Sequence, residues 1–278
     1  MKKKIGYLPV LFIILACGAT APAATQSVDT MVTQTLQALT SIPAATPQPE
    51  QITPDGTRVE TTEISLLIPN GVANDAASAS VTDVELPYIN PGSGDMPQHI
   101  KLTLDLYALS NTSLEPQIMI FRSNEYSGYS ELTALMIGEI QSMQYSDGQP
   151  LPEHLGSDFS AQIHGLNFQN GHGARYLTQV MTNFTPINNR DFYYYYQGMT
   201  DDGKFFVQAV RPVNAAYLPA DDNPNTPLPT DGIPFSTEDF GGYLNAVTLK
   251  LNSADSFSFS PYLNQLDMMI ESMLVKGF

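Results

Sequence analysis

Apolar and polar positions alternate strictly in several short stretches of this chain. Ile64, Leu66 and Ile68 alternate with Glu63 and Ser65, and Ile100, Leu102, Leu104, Leu106 and Ala108 alternate with Lys101, Thr103, Asp105 and Tyr107. A period of two puts one set against a core and the other in water, so both stretches read as half-buried strands. Gln117–Phe121 is apolar on both faces, as an interior strand is. Spacings of three and four take over at Tyr129, Leu132, Met136, Ile140 and Met143. They predict a helix over Tyr126–Met143, closed by the loop Asp147–Pro152.

Two turn signals follow. Asn170-Gly171 separates Ala161–Gln169 from Ala174–Phe184, and Asp202-Gly203 separates Asp191–Met199 from Lys204–Pro212. Asn-Gly and Asp-Gly suit tight hairpins whose central residues take positive φ. Joined by Pro186-Ile187-Asn188-Asn189, the two hairpins predict a four-stranded antiparallel meander. Pro219–Pro234 is a proline-interrupted loop. After it, Ser236 reads as an N-cap, with Glu238 and Asp239 in the first turn of a helix whose stripe is Phe240, Tyr243, Leu244, Val247 and Leu251. Ser260-Pro261 reads as the start of a last helix, with Leu263, Leu266, Ile270 and Met273 buried and Gly277 as terminator.

Strands connected as hairpins, with helices in the middle and at the end, predict an α+β fold of helices packed on an antiparallel sheet. No internal repeat is visible, and a split near Asp147 into two smaller domains stays open.

The N-terminus carries a different pattern. Lys2-Lys3-Lys4 precede the apolar run Ile5–Ala16, which ends in Ile14-Leu15-Ala16-Cys17. The run is too short for a bilayer-spanning helix, which needs roughly 20 residues. A basic start, an apolar stretch and a small residue before the boundary match a secretory signal. Ile14, Ala16 and Cys17 further fill the places of a lipobox, so Cys17 is the expected lipid-attachment residue. Its thiol would carry a diacylglycerol and its freed amine an acyl chain; two or more chains anchor stably where one does not. The expected organisation is a lipoprotein signal peptide over 1–16, a lipidated N-terminus and disordered tether over 17–56, and an extracytoplasmic domain over 57–278. Within the tether, rich in Ala, Thr, Gln and Pro, Val28, Met31, Val32, Thr35, Leu36 and Leu39 share one helical face.

Charge narrows the partners. The chain has 12 basic and 28 acidic residues, a net charge of −16, and loss of Lys2, Lys3 and Lys4 takes it to −19. Nucleic acid, whose binding relies on Lys and Arg, is excluded as a partner. Anionic headgroups are repelled too, so lipid must hold the protein at the membrane. Cys17 is the single cysteine, which leaves no internal disulfide. Roughly 220 residues after the tether are ample for a core without one.

Leu166–Val213 resembles a segment of uncharacterised bacterial lipoproteins. The pieces that carry the likeness are Phe168-Gln169-Asn170-Gly171, Pro186-Ile187-Asn188-Asn189 and Tyr196-Gln197-Gly198-Met199-Thr200-Asp201-Asp202-Gly203. The tether after Cys17 is similar to theirs as well. This resemblance implies no activity. The closing helix after Ser260-Pro261 resembles that of PsbP-like lipoprotein domains, which implies an α+β fold and a binding or scaffolding role.

Candidate chemistry is sparse. Gly128-Tyr129-Ser130-Glu131-Leu132 lacks the final glycine of a nucleophile elbow. His99, His154, His164 and His172 have no metal spacing, although His164 and His172 lie in facing arms of a hairpin. Asp221, Asn223 and Asn225 open like a calcium loop, but Pro224, Thr226 and Gly232 depart from one, so Asp221–Asp231 reads first as a solvated acidic loop. Phe192–Tyr196 offers five aromatics that could form a carbohydrate- or peptide-binding platform. Met268, Met269 and Met273 read as helix packing. No catalytic residue, cofactor-binding residue, metal ligand or cofactor is assigned. The expectation is a lipid-anchored protein on the extracytoplasmic face of a cell or outer membrane. Its domain would be non-enzymatic and would bind or scaffold an envelope protein or small ligand. The alternative is an extracytoplasmic enzyme such as an envelope hydrolase, which a cleft with a carboxylate and a His or Ser in hydrogen-bond reach would favour.

Overall fold

The computed structural model describes residues 55–83, 95–143, 149–181 and 183–278. Cys17, the apolar leader and the helical pattern over Val28–Leu39 lie outside the described residues. The chain divides into two units, Met1–Ile52 and Thr53–Phe278; all elements below belong to the second.

The architecture is α+β. A small antiparallel sheet joins β1 (Gly56–Glu60), β2 (Ile64–Pro69) and β12 (Leu274–Val275), with β2 central. The large sheet holds β3 (Asp75–Val81), β4 (His99–Asp105), β5 (Gln117–Arg122), β6 (Ala161–Gly165), β7 (Gly171–Gln179), β8 (Phe192–Thr200) and β9 (Phe205–Pro212). Their order is β3-β4-β5-β9-β8-β7-β6, antiparallel throughout. The expected meander is present as β6 to β9, and β5 is interior, between β4 and β9. A two-residue pair, β10 (Asn214–Ala215) with β11 (Phe259–Ser260), completes the strands among the described residues.

Both faces of the large sheet are covered, which is why Phe192–Tyr196 is apolar at every position. On the first face Ile100, Leu102, Ile118, Ile120, Val207, Tyr194 and Tyr196 pack with β2 and with helices α3 (Phe240–Ser253) and α4 (Leu263–Glu271). Leu263, Leu266, Met269 and Ile270 of α4 are wholly buried, each contributing about 1.5–3 kcal/mol. On the second face Met119, Phe121, Met199 and Phe206 pack under α1 (Ser123–Ser127) and α2 (Glu131–Ser142). Phe192, Tyr194 and Tyr196 point one way, Tyr193 and Tyr195 the other.

Several boundaries differ from the sequence reading, each for a local reason. The helix expected over Tyr126–Met143 is two. Ser130 Oγ accepts from Thr133 N at 3.1 Å and Thr133 Oγ1 accepts from Ser130 N at 3.0 Å, a reciprocal cap that starts α2 afresh. Leu106 is not in β4: its φ is 51° and it is 77% exposed. The N-cap of α3 is Asp239, whose carboxylate accepts from Gly242 N at 3.0 Å, while Ser236 caps Asp239 itself. α4 starts after Tyr262 and ends at Ser272, so Ser260 and Gly277 do not bound it.

The first hairpin is shifted by one residue. Phe168 and Gly171 exchange both backbone hydrogen bonds, so Gln169-Asn170 forms the turn, and neither takes positive φ. Gly171 is needed for space: a Cβ there would lie 2.0 Å from the Phe168 ring. In the second hairpin only Gly203 has positive φ, 71°.

A largely buried ion pair ties α4 to the sheet, its side chains 8% and 17% exposed. Arg175 of β7 donates from Nε and Nη2 to Asp267 Oδ1 and Oδ2, each at 3.1 Å, and Tyr194 Oη donates to Asp267 Oδ1 at 3.0 Å. The edge strand β6 is closed by α3. Gln162, in a bulge with φ of 52°, donates to the last carbonyls of that helix at Leu251 and Ala254. Leu251 O also accepts from the cap residue, Ala254 N, at 3.2 Å, so Gln162 completes the C-terminal cap of the helix.

Candidate functional site

The described part of the Met143–Ser160 connection crosses the second face of the sheet beyond α2. Leu155 O accepts from Tyr176 Oη at 2.8 Å and from Gln197 Nε2 at 2.9 Å, which pins the connection to β7 and β8. Thr178 Oγ1 donates to Phe159 O at 2.7 Å. Glu139 of α2 holds the other side. It accepts from His154 N at 3.0 Å through Oε2 and meets His154 Nδ1 at 2.6 Å through Oε1.

Between these attachments lies a cleft of about 320 Å³, within the range of small-ligand sites. Leu132 and Met136 of α2 form one wall, His154, Gly156, Ser157 and Asp158 the other, and Tyr176, Tyr193, Tyr195 and Gln197 the floor. Tyr176 and Tyr195 meet edge to face, with centroids 5.5 Å apart. Burial pushes the hydroxyls of Tyr176, Tyr193 and Tyr195 well above the usual tyrosine range, so the floor is neutral. Tyr195 Oη and Gln197 Oε1 lie sealed in that floor without a hydrogen-bond partner. Among the described residues no Lys or Arg lines the cleft. A groove of about 500 Å³ adjoins it, sharing Asp158 and Met181 and lined further by Asn183, Phe184, Phe240 and Leu244. Phe184 is 66% exposed, and its ring lies 4.6 Å from that of Phe240. A polar, aromatic cleft thus runs into an apolar groove, an arrangement suited to an uncharged or cationic ligand with an apolar part.

The His154–Glu139 contact is the titratable part of the wall. The hydrogen bond to Glu139 raises the His154 pKa above its ordinary value. A raised folded-state pKa contributes stability that is full below the unfolded value of about 6.5 and fades as pH rises through the folded pKa. Urea midpoints at about pH 5.5 and about pH 8.5 should therefore differ more in the wild type than in His154→Gln, with the lower pH favoured. An equal difference in both proteins would contradict the assignment.

The candidates raised by sequence are distributed as follows. Phe192–Tyr196 forms no open five-ring platform: Phe192, Tyr194 and Tyr196 are committed to the first-face core, and only Tyr193 and Tyr195, each 2% exposed, border the cleft as its floor. His164 and His172 do not face each other: His164 is opposite Arg175, and His172 Nδ1 lies 3.3 Å from Asp201. In the acidic loop Asp221 Oδ1 accepts from Asn223 N and Thr226 Oγ1, and Asn223 Oδ1 accepts from Asn225 N. Among the described residues no three of His, Cys, Asp and Glu gather where a metal ion could sit. Ser130 is a helix cap, not a nucleophile. Met269 and Met273 are core residues. Cys17 lies outside the described residues, and no described helix is long and apolar enough to cross a membrane. Sequence reasoning missed Glu139, Ser157 and Asp158 and named His154 only as one of four histidines without metal spacing; these residues follow no motif and become neighbours of Tyr176 and Gln197 only through the fold. Comparison with family models, curated proteins and solved structures finds no match to this chain.

Proposed function

We propose that this protein is a membrane-anchored lipoprotein, held through lipid on Cys17, whose folded domain binds a ligand in the tyrosine-floored cleft without transforming it. The observation that carries the binding reading is the cleft itself, walled by a loop pinned to the sheet at Leu155 and Phe159 and continuous with the Phe184–Phe240 groove. Such a pre-formed concavity costs a ligand little ordering of the protein. The described lining holds Asp158 and no Lys or Arg, on a chain of net charge −16, which favours an uncharged or cationic ligand.

The enzyme alternative has one observation in its favour, since His154 lies in the wall with Glu139 at hydrogen-bond distance and Ser157 nearby. Against it, Ser157 Oγ lies 2.5 Å from Phe159 O and 2.7 Å from Thr178 Oγ1, within that hydroxyl–carbonyl cluster, and no hydrogen bond joins it to His154. A nucleophile needs its base within that reach.

The test is a thermal-shift screen of neutral and cationic small molecules on the mature chain and on Gly156→Phe. Gly156 lines the cleft, and a Cβ there has only ordinary contacts, 3.7 Å at the nearest, so a bulky side chain is accommodated at its root in the cleft wall. At least one compound should raise the melting temperature of the wild type and leave the variant unmoved. Hits that shift both equally would place binding elsewhere. Ester or glycoside turnover lost in His154→Gln would instead establish the enzyme. For the anchor, a fatty-acid analogue should label wild-type cells, and label persisting in Cys17→Ser would remove it.

A further inference from the structure

The large sheet ends on one side in β3, which pairs with β4 alone. The opposite edge strand, β6, is closed by α3 through Gln162. Nothing described closes β3 in this way: β1 approaches it but pairs only with β2. The ladder next to it fixes which backbone groups of β3 face outward. Leu104 N donates to Pro116 O at 3.0 Å, so Leu104, Leu102 and Ile100 turn their N–H and C=O groups toward β5. The intervening Asp105, Thr103, Lys101 and His99 turn theirs toward Asp75, Ala77, Ala79 and Val81 of β3. Ala76, Ser78 and Ser80 therefore direct their backbone groups away from the sheet. Ala76 N meets the Asp75 carboxylate at 2.7 Å, while among the described residues no hydrogen bond ends on the outward backbone of Ser78 or Ser80. Asp75, Ala77, Ser78, Ala79 and Ser80 are exposed, and Ala76 and Val81 are half-buried. The strand also lacks the devices that usually guard an edge, since it holds no Pro, no Lys and no bulge.

We propose that β3 is a docking edge for an extended, basic peptide segment, which joins the large sheet as one further strand. In this mode of recognition main-chain hydrogen bonds supply the affinity. Charge selects the occupant. Exposed Asp75 and Asp83 stand at the two ends of the edge, exposed Asp105 lies opposite Asp75, and no Lys or Arg occurs from 75 to 83. A segment with Lys or Arg at its ends meets these carboxylates. A second copy of the chain would instead bring its own Asp75 and Asp83 to the same ends, on bodies of net charge −16 each, so self-pairing is opposed. Small side chains at Ala77, Ser78, Ala79 and Ser80 leave room for large residues on the incoming strand. The edge thus reads extended backbone and end charge rather than particular side chains. It lies beyond β4, β5 and β9 from the strands that floor the cleft. The proposal is therefore separate from the ligand reading, and neither outcome decides the other.

The probe is a synthetic peptide of alternating Thr and Val with Lys at both ends, equal in length to Asp75–Asp83. On the mature chain, hydrogen exchange at the amides of Ser78 and Ser80 should slow when the peptide is added. The same peptide with Glu in place of each Lys should bind about tenfold more weakly at low salt. Ser78→Pro removes an N–H that the β3–β4 ladder does not use, a place where an edge strand accepts proline. It should weaken the basic peptide by about tenfold or more. Because that variant can fail to fold, Asp83→Lys, on an exposed residue beyond the strand, provides the second measurement. It should weaken the basic peptide and strengthen the acidic one. No slowing at Ser78 and Ser80 with millimolar basic peptide overturns the proposal, as does affinity retained in full by Asp83→Lys and a folded Ser78→Pro. Slowing of the same amides without peptide, growing with protein concentration, would make a second copy the occupant and overturn the basic peptide.

Discussion

Asp267→Ala is expected to destabilise the domain by about 3–5 kcal/mol, the cost of breaking a buried ion pair by removing one member. Three hydrogen bonds end on that carboxylate, two from Arg175 and one from Tyr194. Its removal leaves Arg175, whose side chain is 8% exposed, without a counter-charge and with Gln162 O as its remaining acceptor. Against a typical total of about 5–15 kcal/mol, the loss brings the folded state close to its threshold. Urea denaturation followed by tyrosine fluorescence reads the effect as a lowered midpoint with an unchanged slope. Replacing the pair together, Arg175→Met with Asp267→Leu, should recover most of the loss, because apolar residues of similar volume commonly match a buried ion pair. A single-variant loss below about 1 kcal/mol would put the contact among exposed pairs and contradict its role in tying α4 to β7.

Gly173→Ala is the second large effect. Gly173 of β7 is opposite Gly198 of β8, and the space left by the two missing side chains is occupied by the Tyr196 ring. A Cβ at Gly173 would stand 2.2 Å from Gln197 O, 2.5 Å from Tyr196 Oη and 2.6 Å from Gly198 Cα. Two of these obstacles are backbone of an interior strand paired on both sides, so relief requires the β7–β8 ladder to part. Overpacking of this kind costs about 3 kcal/mol, which lowers the melting temperature by about 6–12 °C in a domain of this size. Gly138→Ala provides the contrast. Nothing lies within 4 Å of a Cβ there, and alanine in a helix interior gains about 0.5–1 kcal/mol over glycine. If both substitutions destabilised equally, the slot for Tyr196 would be wrong.

How much of this was legible in the sequence follows from the range of the forces involved. Ile100–Leu104 and Gln117–Phe121 announce their strands because alternation, or its absence, is fixed by how many faces are buried. The meander was legible from turn residues and β-formers within a short span. The turn at Gln169-Asn170 was misplaced because Gly171 serves to clear the Phe168 ring, and a glycine required for space looks the same in sequence as one required for positive φ. The break between α1 and α2 was hidden because Tyr129, Leu132 and Met136 keep a helical spacing across a cap made by Ser130 and Thr133. The small sheet was out of reach. β12 pairs with β2 across nearly the whole domain, and two residues, Leu274 and Val275, carry no periodic signal. For the same reason the site was mostly invisible. Tyr193 and Tyr195 were noticed as a run, but their role as a cleft floor depends on a connection whose only local mark is proline. Arg175 and Asp267 are read as two ordinary charges until the sheet and α4 bring them together.

Native mass spectrometry of the protein extracted gently from its own membrane reads both proposals at once, lipid on Cys17 and a ligand held in the cleft. The expected spectrum shows a polypeptide that starts at Cys17 with the added mass of a diacylglycerol and acyl chain. It also shows a non-covalent adduct that Gly156→Phe lacks. A polypeptide that begins elsewhere with a free thiol, or an adduct retained in full by Gly156→Phe, would contradict the account.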